Sequence, residues 1–447
     1  MAKLQDWIRQ RGATEVEYMV PDLSGVPRGK VMPAHKFIKS SASDGLRLPI
    51  SVFFQTIAGG YPDSDVVGSP ESPDVYLRPD PATLRPVPWY DDPTAQVICD
   101  AHYPTGEPVA VAPRHVLRRV MDLYAERGWR PVVAPEVEFY LVKINEDPDY
   151  PLEPPTGRSR RPESGRQAYG IDAVNEFDPI FEDMYDFCEA EGIEVDTLIH
   201  EAGAAQMEVN FLHGDPMALA DQTFVFKRTM REAALRHEVY CTFMAKPMED
   251  EPGSAMHIHQ SVVDARTGRN LFAKKNGEDS KLFRSYIAGL QKYIPSVMPL
   301  FAPNVNSYRR LQPDMDAPIN VHWARENRTV GLRVPESVAA ARRVENRVPG
   351  PDANPYLAIA ATLACGYIGM TAGLEPTAPI EGSAYHRAHS LPRHLWDSLA
   401  KLQGCKPLKQ VLGEEFVRVL AAVKHVEYEE YHRVISSWER EFLLLNV

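Results

Sequence analysis

Apolar and polar positions alternate with period two in some stretches of this chain and recur near every 3.6 residues in others. That switch sketches the fold. The stretch 3–12 has helical spacing and predicts a short amphipathic helix. EVEYMVP (15–21) and RGKVMPAHKF (28–37) predict strands on either side of a turn at DLSG (22–25). Prolines and acidic residues crowd 62–93 and predict the loop-rich end of a small β-rich unit, with AQVICDAH (95–102) as its last strand. Helical spacing from Pro113 to Arg127 opens a second unit. The segment 144–170, rich in Pro, Arg and Gly and without a period, predicts an irregular surface loop. Beyond it, strands and helices alternate, as in Asp221–His237 (helix) and Val239–Ala245 (strand), and 392–443 is helical and charged. The expected division is a domain at 1–107 and a larger one at 108–447.

One segment needs two readings. Leu357 to Leu374 is nearly free of polar side chains and long enough to span a bilayer. It is mostly Ala, Gly and Thr, which predicts a buried, closely packed helix rather than a membrane span. The length of 447 residues exceeds one average core. A formal net charge of −12 argues against nucleic acid as a partner, and RSRR (158–161) is a short run among prolines. Five cysteines at 99, 188, 241, 365 and 405 form no CxxC pair. They predict reduced thiols and a cytoplasmic setting, and the polar start MAKLQDWIRQRG is not a secretory signal.

The chemistry is concentrated in a few motifs. KPMEDEPGSAMHIHQS (246–261) sets a small-residue turn before a His-x-His pair, so His257 and His259 are predicted to look into one cavity from one face of a strand. An isolated HxH is more often coincidence. Glu136 and Glu138 stand two apart in the apolar strand VVAPEVEFYLV. Buried, they repel each other and call for a positive partner; the alternative is a solvent-facing edge. In HEAGAAQMEVNF, Glu201 and Glu208 flank a turn, with Gln206, Glu208 and Asn210 on one strand face. In RRVENR, Glu345 is either a further ligand or part of a surface ion-pair cluster. Five carboxylates with one imidazole suit Mg²⁺ or Mn²⁺ better than Zn²⁺, and two or more ions. Arg310, Arg328, Arg333, Arg342, Arg343 and Arg347 lie within 40 residues of each other, a density that suits a carboxylate substrate and a transferring phosphate.

These motifs stand in the order found in type I glutamine synthetases, which the chain resembles along nearly its whole length. The resemblance includes DLSGVPRGK, PDPATLRPVPW (79–89) and PDANPYLAIAATLACG (351–366). It implies an α+β fold, a small N-terminal β-grasp domain before a large catalytic domain with an antiparallel sheet and flanking helices. It also implies a homo-oligomer of two stacked six-membered rings, no membrane partner, and L-glutamate, ATP and an amine as substrates. By motif, Glu138, Glu201 and Glu208 resemble the ligands of one metal, and Glu136, His257 and Glu345 those of a second. His259, Ser261, Arg333 and Arg343 resemble ATP contacts. Gly253, Arg310, Arg328 and Arg347 resemble glutamate contacts, Arg328 also in a catalytic role. The implied chemistry phosphorylates the γ-carboxylate of glutamate and then replaces phosphate by an amine.

Four positions depart from ammonia-using members. Their loop aspartate is missing from SVFFQTIAGGY (51–61), where Phe53, Phe54 and Gln55 predict an amine pocket with aromatic walls. Asp316 replaces a flap glutamate, shorter by roughly 1.5 Å, and is the expected catalytic base. Pro252 stands where an asparagine is usual, and the tyrosine loop used for adenylylation is not matched. These departures point to a γ-glutamyl-polyamine or γ-glutamyl-monoamine ligase. The alternatives are a glutamine synthetase with an unusual ammonia pocket and a non-catalytic structural homologue.

Overall fold

One side chain builds the first turn. Asp22 Oδ1 accepts the backbone N–H of Ser24 at 2.9 Å and of Val26 at 2.8 Å, while Gly25 takes a left-handed φ of 80°. Glu15–Pro21 (β1) thereby folds back antiparallel onto Pro27–Pro33 (β2). The strand predicted over 28–37 stops at Pro33, and Ala34–Ser41 is a helix that buries Phe37. A proline closing the strand, with Phe37 on the inner helical face, accounts for the difference. The computed structural model describes residues 2–67, 71–313 and 317–447.

Arg47–Pro49 (β3), Asp74–Pro79 (β4), Arg85–Pro86 (β5) and Thr94–His102 (β6) complete this first sheet. The order is β2-β1-β6-β4-β3, with β5 on β6 and β1 parallel to β6, a β-grasp arrangement. β4 lies inside the stretch expected to be loop-rich: Val75 and Leu77 alternate inward between Asp74, Tyr76 and Arg78, a pattern too short to stand out among the flanking prolines. The turn Ile50–Phe53 bears on another expectation. Phe53 (0% exposed) and Phe54 (4%) belong to the hydrophobic core and line neither of the two large cavities described below. Gln55 instead donates to the Gly59 carbonyl and the Tyr61 hydroxyl at the surface. Aromatic area in a loop was more valuable to the small core than to a cavity.

The second sheet comprises Trp129–Lys143 (β7), Val195–His200 (β8), Gln206–Phe211 (β9), Val239–Thr242 (β10), Met256–Asp264 (β11), Trp323–Arg325 (β12), Leu332–Val334 (β13) and Val344–Asn346 (β14). Its order is β12-β13-β14-β11-β7-β9-β8, with β10 on β7, antiparallel except for β12 beside β13. Helix Pro355–Ala372 is the apolar segment of the sequence, and it is buried inside the protein. Asn354 caps it, accepting from Tyr356 and Leu357 N–H, and donates to the Asp22 carbonyl at 2.8 Å, tying the first turn to this core. Its glycines permit close packing on helix Lys281–Val297: a Cβ at Gly289 would lie 2.2 Å from the Cys365 carbonyl oxygen.

Candidate active site and metal centre

Register brings the acidic residues together. On β7 and β9, Glu138 faces Glu208 and Glu136 faces Asn210. On β7 and β11, His257 faces Glu136; on β11 and β14, His259 faces Glu345; on β13 and β14, Arg333 faces Glu345. Residues directly opposite each other share a face, so one face of the sheet carries all of them. Like charges opposite each other, as at Glu138 and Glu208, destabilise a bare sheet.

Two groups of ligand atoms lie within 4.8 Å of one another: Glu136, His257 and Glu345, and Glu138, Glu208 and His257. The first is the trio expected from sequence. In the second, His257 completes the set around Glu138 and Glu208, while Glu201 lines the same cavity. Glu345, 1% exposed, is no surface ion pair; it holds Arg333 Nη1 at 2.8 Å and also Arg347 Nη1.

The electrostatics separate these acids. Burial, then the charge of Glu201, pushes the Glu138 carboxyl up to about 8. Glu208 is raised by burial and by Glu138, Glu136 and Glu201. Burial also opposes the charge of Glu345, but Arg347 and the two histidines overcome it and hold that carboxyl at about 2. Glu136 is likewise lowered, by hydrogen bonds from His257 and His259 that outweigh its burial. Burial, then Arg347, pushes His257 down to about 4, leaving a neutral imidazole with a lone pair. Arg343 Nε donates to His259 Nδ1 at 3.1 Å, which puts the ring proton on Nε2, 2.9 Å from Glu136. Crowded carboxylates that retain protons, beside an unprotonated imidazole, fit the donor set of hard divalent cations.

Two cavities meet at Glu136. One, of about 440 Å³, is lined by Glu138, Glu201, Glu208, His257, Gly253, Pro252, Arg328, Arg333 and Arg347. The other, of about 400 Å³, is lined by Val132, Val133, Ala134, His259, Ser261, Ala341 and Arg343. His257 and His259, expected in one cavity, therefore face adjoining ones, because a two-residue step on a strand covers about 6–7 Å. Arg333, expected with His259, Ser261 and Arg343, lines the acidic side. Arg310 lies beneath it, donating to the carbonyls of Val348 at 2.7 Å and Arg347 at 3.0 Å. A Cβ at Gly253 would come within 2.5 Å of Arg310 Cγ, so this arginine sets where the glycine can sit. Arg342 turns away to Asp279. Asp316 lies outside the described residues.

Three hydroxyl-bearing lining residues escaped the sequence reading: Tyr169, Thr329 and Tyr385 on the acidic side. Tyr169 comes from the segment 144–170, where a left-handed φ of 62° and an N–H bond to the His200 carbonyl at 2.8 Å fold the chain back over the cavity. Only the proximity of Gly165 and Gly170 hinted at such a turn.

Known proteins match this arrangement. The model of the glutamine synthetase catalytic domain matches residues 110–443. The gamma-glutamylputrescine synthetase PuuA of Escherichia coli is 36% identical over 439 residues, covering 96% of this chain and 92% of that protein. The glutamate–isopropylamine ligase of a Pseudomonas species is 32% identical over 446 residues, covering 98% and 96%. A solved structure, a GmaS/ADP complex, superposes with a TM-score of 0.85 at 26% identity, covering 99% of this chain and 100% of that one. With most of its length matched by the family model and near-full-length relatives above 30% identity, this chain belongs to the glutamine synthetase family.

Proposed function

We propose that the protein is an ATP-dependent ligase that joins the γ-carboxylate of L-glutamate to an organic amine. The observation that carries the reading is the pair of acid groups sharing His257 at the meeting point of two cavities. Glu138, Glu201 and Glu208, with His257, would hold one Mg²⁺ or Mn²⁺; Glu136, His257 and Glu345 would hold another. Such cations screen the phosphates and polarise the transferring phosphoryl group. The neighbouring cavity suits the nucleotide: apolar Val132, Val133 and Ala134 accept a base, while Arg343, His259 and Ser261 face phosphate and sugar.

Glutamate fits the acidic side, with its γ-carboxylate near Arg328 and Arg347 and its backbone groups near Gly253. A γ-carboxylate oxygen attacks the terminal phosphorus of ATP; the bond to the bridging oxygen breaks and ADP leaves. The neutral amine nitrogen then attacks the acyl carbon, a C–N bond forms, phosphate departs with the C–O electron pair, and the proton shed by the nitrogen passes to that phosphate. Arginines beside the transferring group stabilise the charge that develops.

An organic amine, rather than ammonium, is favoured because SVFFQTIAGGY carries no acid to hold a small cation. The names of the two amine ligases above agree. Arg310 acts in support of Gly253 rather than on glutamate, and Phe53 and Phe54 shape the core beneath the acceptor loop. A double-ring homo-oligomer divided at about residue 107 in each chain, working in a reducing cytoplasm, completes the proposal; all five cysteines are free thiols. The test is phosphate release with glutamate and ATP against ammonium, putrescine, isopropylamine, ethanolamine and an aromatic amine. Turnover with an organic amine at least about tenfold above ammonium, a difference of 1.4 kcal/mol, is expected. Efficient turnover with ammonium alone would defeat the amine assignment.

A further inference from the structure

Glu201 leaves β8 on a turn held by its own backbone donors. Three successive N–H groups each donate to a different side chain: Gly203 to Gln206 Oε1 at 3.0 Å, Ala204 to Glu251 Oε2 at 3.1 Å, and Ala205 to the Glu163 carboxylate. Ala205 has a left-handed φ of 56°, which a non-glycine residue keeps only when its surroundings enforce it. Glu163 is 8% exposed in the middle of a segment that its composition marks as a surface loop. Its Oε1 accepts from Gln167 Nε2 at 2.6 Å and faces His200 Nε2 at 3.2 Å. His200, fully buried, meets the Glu201 carbonyl through Nδ1 at 2.6 Å.

A buried carboxylate is costly to desolvate and persists where its hydrogen bonds are complete. Simple anchoring of a loop would not require one. Among the described residues, every hydrogen-bond partner of the Glu163 carboxylate except Gln167 belongs to the turn that carries Glu201 or to the residue before it. Glu251, which takes the next N–H, comes from the loop of Gly253, so one turn is gripped from two sides of the acidic cavity.

We propose that Glu163, acting with His200, is a positioning residue that fixes the Glu201 turn so that its acids converge on a divalent cation. The proposal rests on reading the acidic cavity as a cation site. Clustered carboxylates repel one another and tend to splay, and a backbone pinned from behind prevents this before the cation arrives. Glu163 touches neither substrate nor ligand and acts through Ala205 and His200.

The test is a calorimetric titration of Mn²⁺ into the full-length protein, with KM for glutamate and kcat measured alongside. Glu163→Ala is expected to weaken Mn²⁺ binding by about 10–100-fold, the usual effect of losing an outer partner of a metal ligand. Glu163→Gln keeps an acceptor for the Ala205 N–H and should recover most of that loss. Glu153→Ala, which removes an exposed carboxylate paired with Lys143 in the same segment, should leave binding at the wild-type level. A Glu163→Ala protein whose Mn²⁺ affinity stays within about threefold of wild type, whatever its melting temperature, overturns the proposal. Should that variant not fold, Glu163→Asp decides. It keeps the charge but withdraws from the Ala205 N–H, and unchanged affinity again overturns the role. A wild-type protein that takes up no Mn²⁺ removes the cation reading itself, and the proposal with it.

Discussion

The two cavities on either side of Glu136 use charge in opposite ways. On the side proposed for the nucleotide, Arg343, His259 and Ser261 stand among other polar groups beside the apolar Val132, Val133 and Ala134. On the acidic side, four carboxylates and an imidazole crowd together, and the protonation of Glu138 and Glu208 depends on the acids around them. The first cavity resembles an ordinary ligand pocket. The second is an incomplete electrostatic unit that a cation would complete. Groups acting as a unit should fail together, and groups acting singly should fail one substrate at a time.

The sharpest way to break this contrast is Glu138→Gln. Removing one carboxylate of the unit should lower kcat/KM by about 10³-fold, several kcal/mol of lost charge stabilisation, for ATP and glutamate alike. A loss confined to the KM of one substrate would show that the acids act separately. Arg343→Ala tests the other side. It removes a charge-assisted contact of about 1.5–3 kcal/mol, so KM for ATP should rise about 10–100-fold while KM for glutamate stays put. A matching rise for glutamate would mean that the cavities are coupled through His259 and Glu136.

The same contrast explains what the sequence disclosed. Period-two spacing alone placed Glu136, Glu138, His257 and Glu208 on common strand faces, because a strand converts i, i+2 into one direction regardless of what surrounds it. The register of four strands then did the rest, and no register can be read from one sequence. Glu163 was hidden for a different reason: its partners, His200 and Ala205, lie about forty residues away, and its neighbours are Pro, Arg and Gly. β1 and β6 were legible from alternation. β4 was not, since prolines at 73 and 79 bracket it and only Val75 and Leu77 mark its inner face. Phe53 and Phe54 were ambiguous because an apolar residue in a loop satisfies a core and a binding pocket equally well on paper, and in the structure both are buried in the core.

The smallest expected effect is also the most specific to the acidic side. Burial and Glu201 raise Glu138 from the usual 4.5 to about 8, and Glu208 is raised as well. A carboxyl with a raised folded-state pKa holds a proton that the unfolded chain has released. Its contribution to stability is therefore full below the unfolded pKa and is lost as pH climbs through the folded one. His257 runs the other way. Lowered from 6.5 to about 4, chiefly by burial, it favours folding as pH rises, and that gain is complete above about 6.5. From pH 6.5 to 8 only the carboxyl trend remains within the cluster. Lys227 and Glu191, each shifted to about 7, also titrate in this range but line neither cavity. Their effect cancels when the same protein is melted with and without saturating Mg²⁺. A cation replaces the protons that Glu138 and Glu208 retain, so binding releases them and strengthens with pH. The rise in melting temperature caused by Mg²⁺ should therefore grow by about 2–4 °C between pH 6.5 and 8, as differential scanning calorimetry can measure. A rise that stays flat across that interval would mean that the cation does not draw on these two carboxylates, and the acidic cavity would then be no more of a unit than its neighbour.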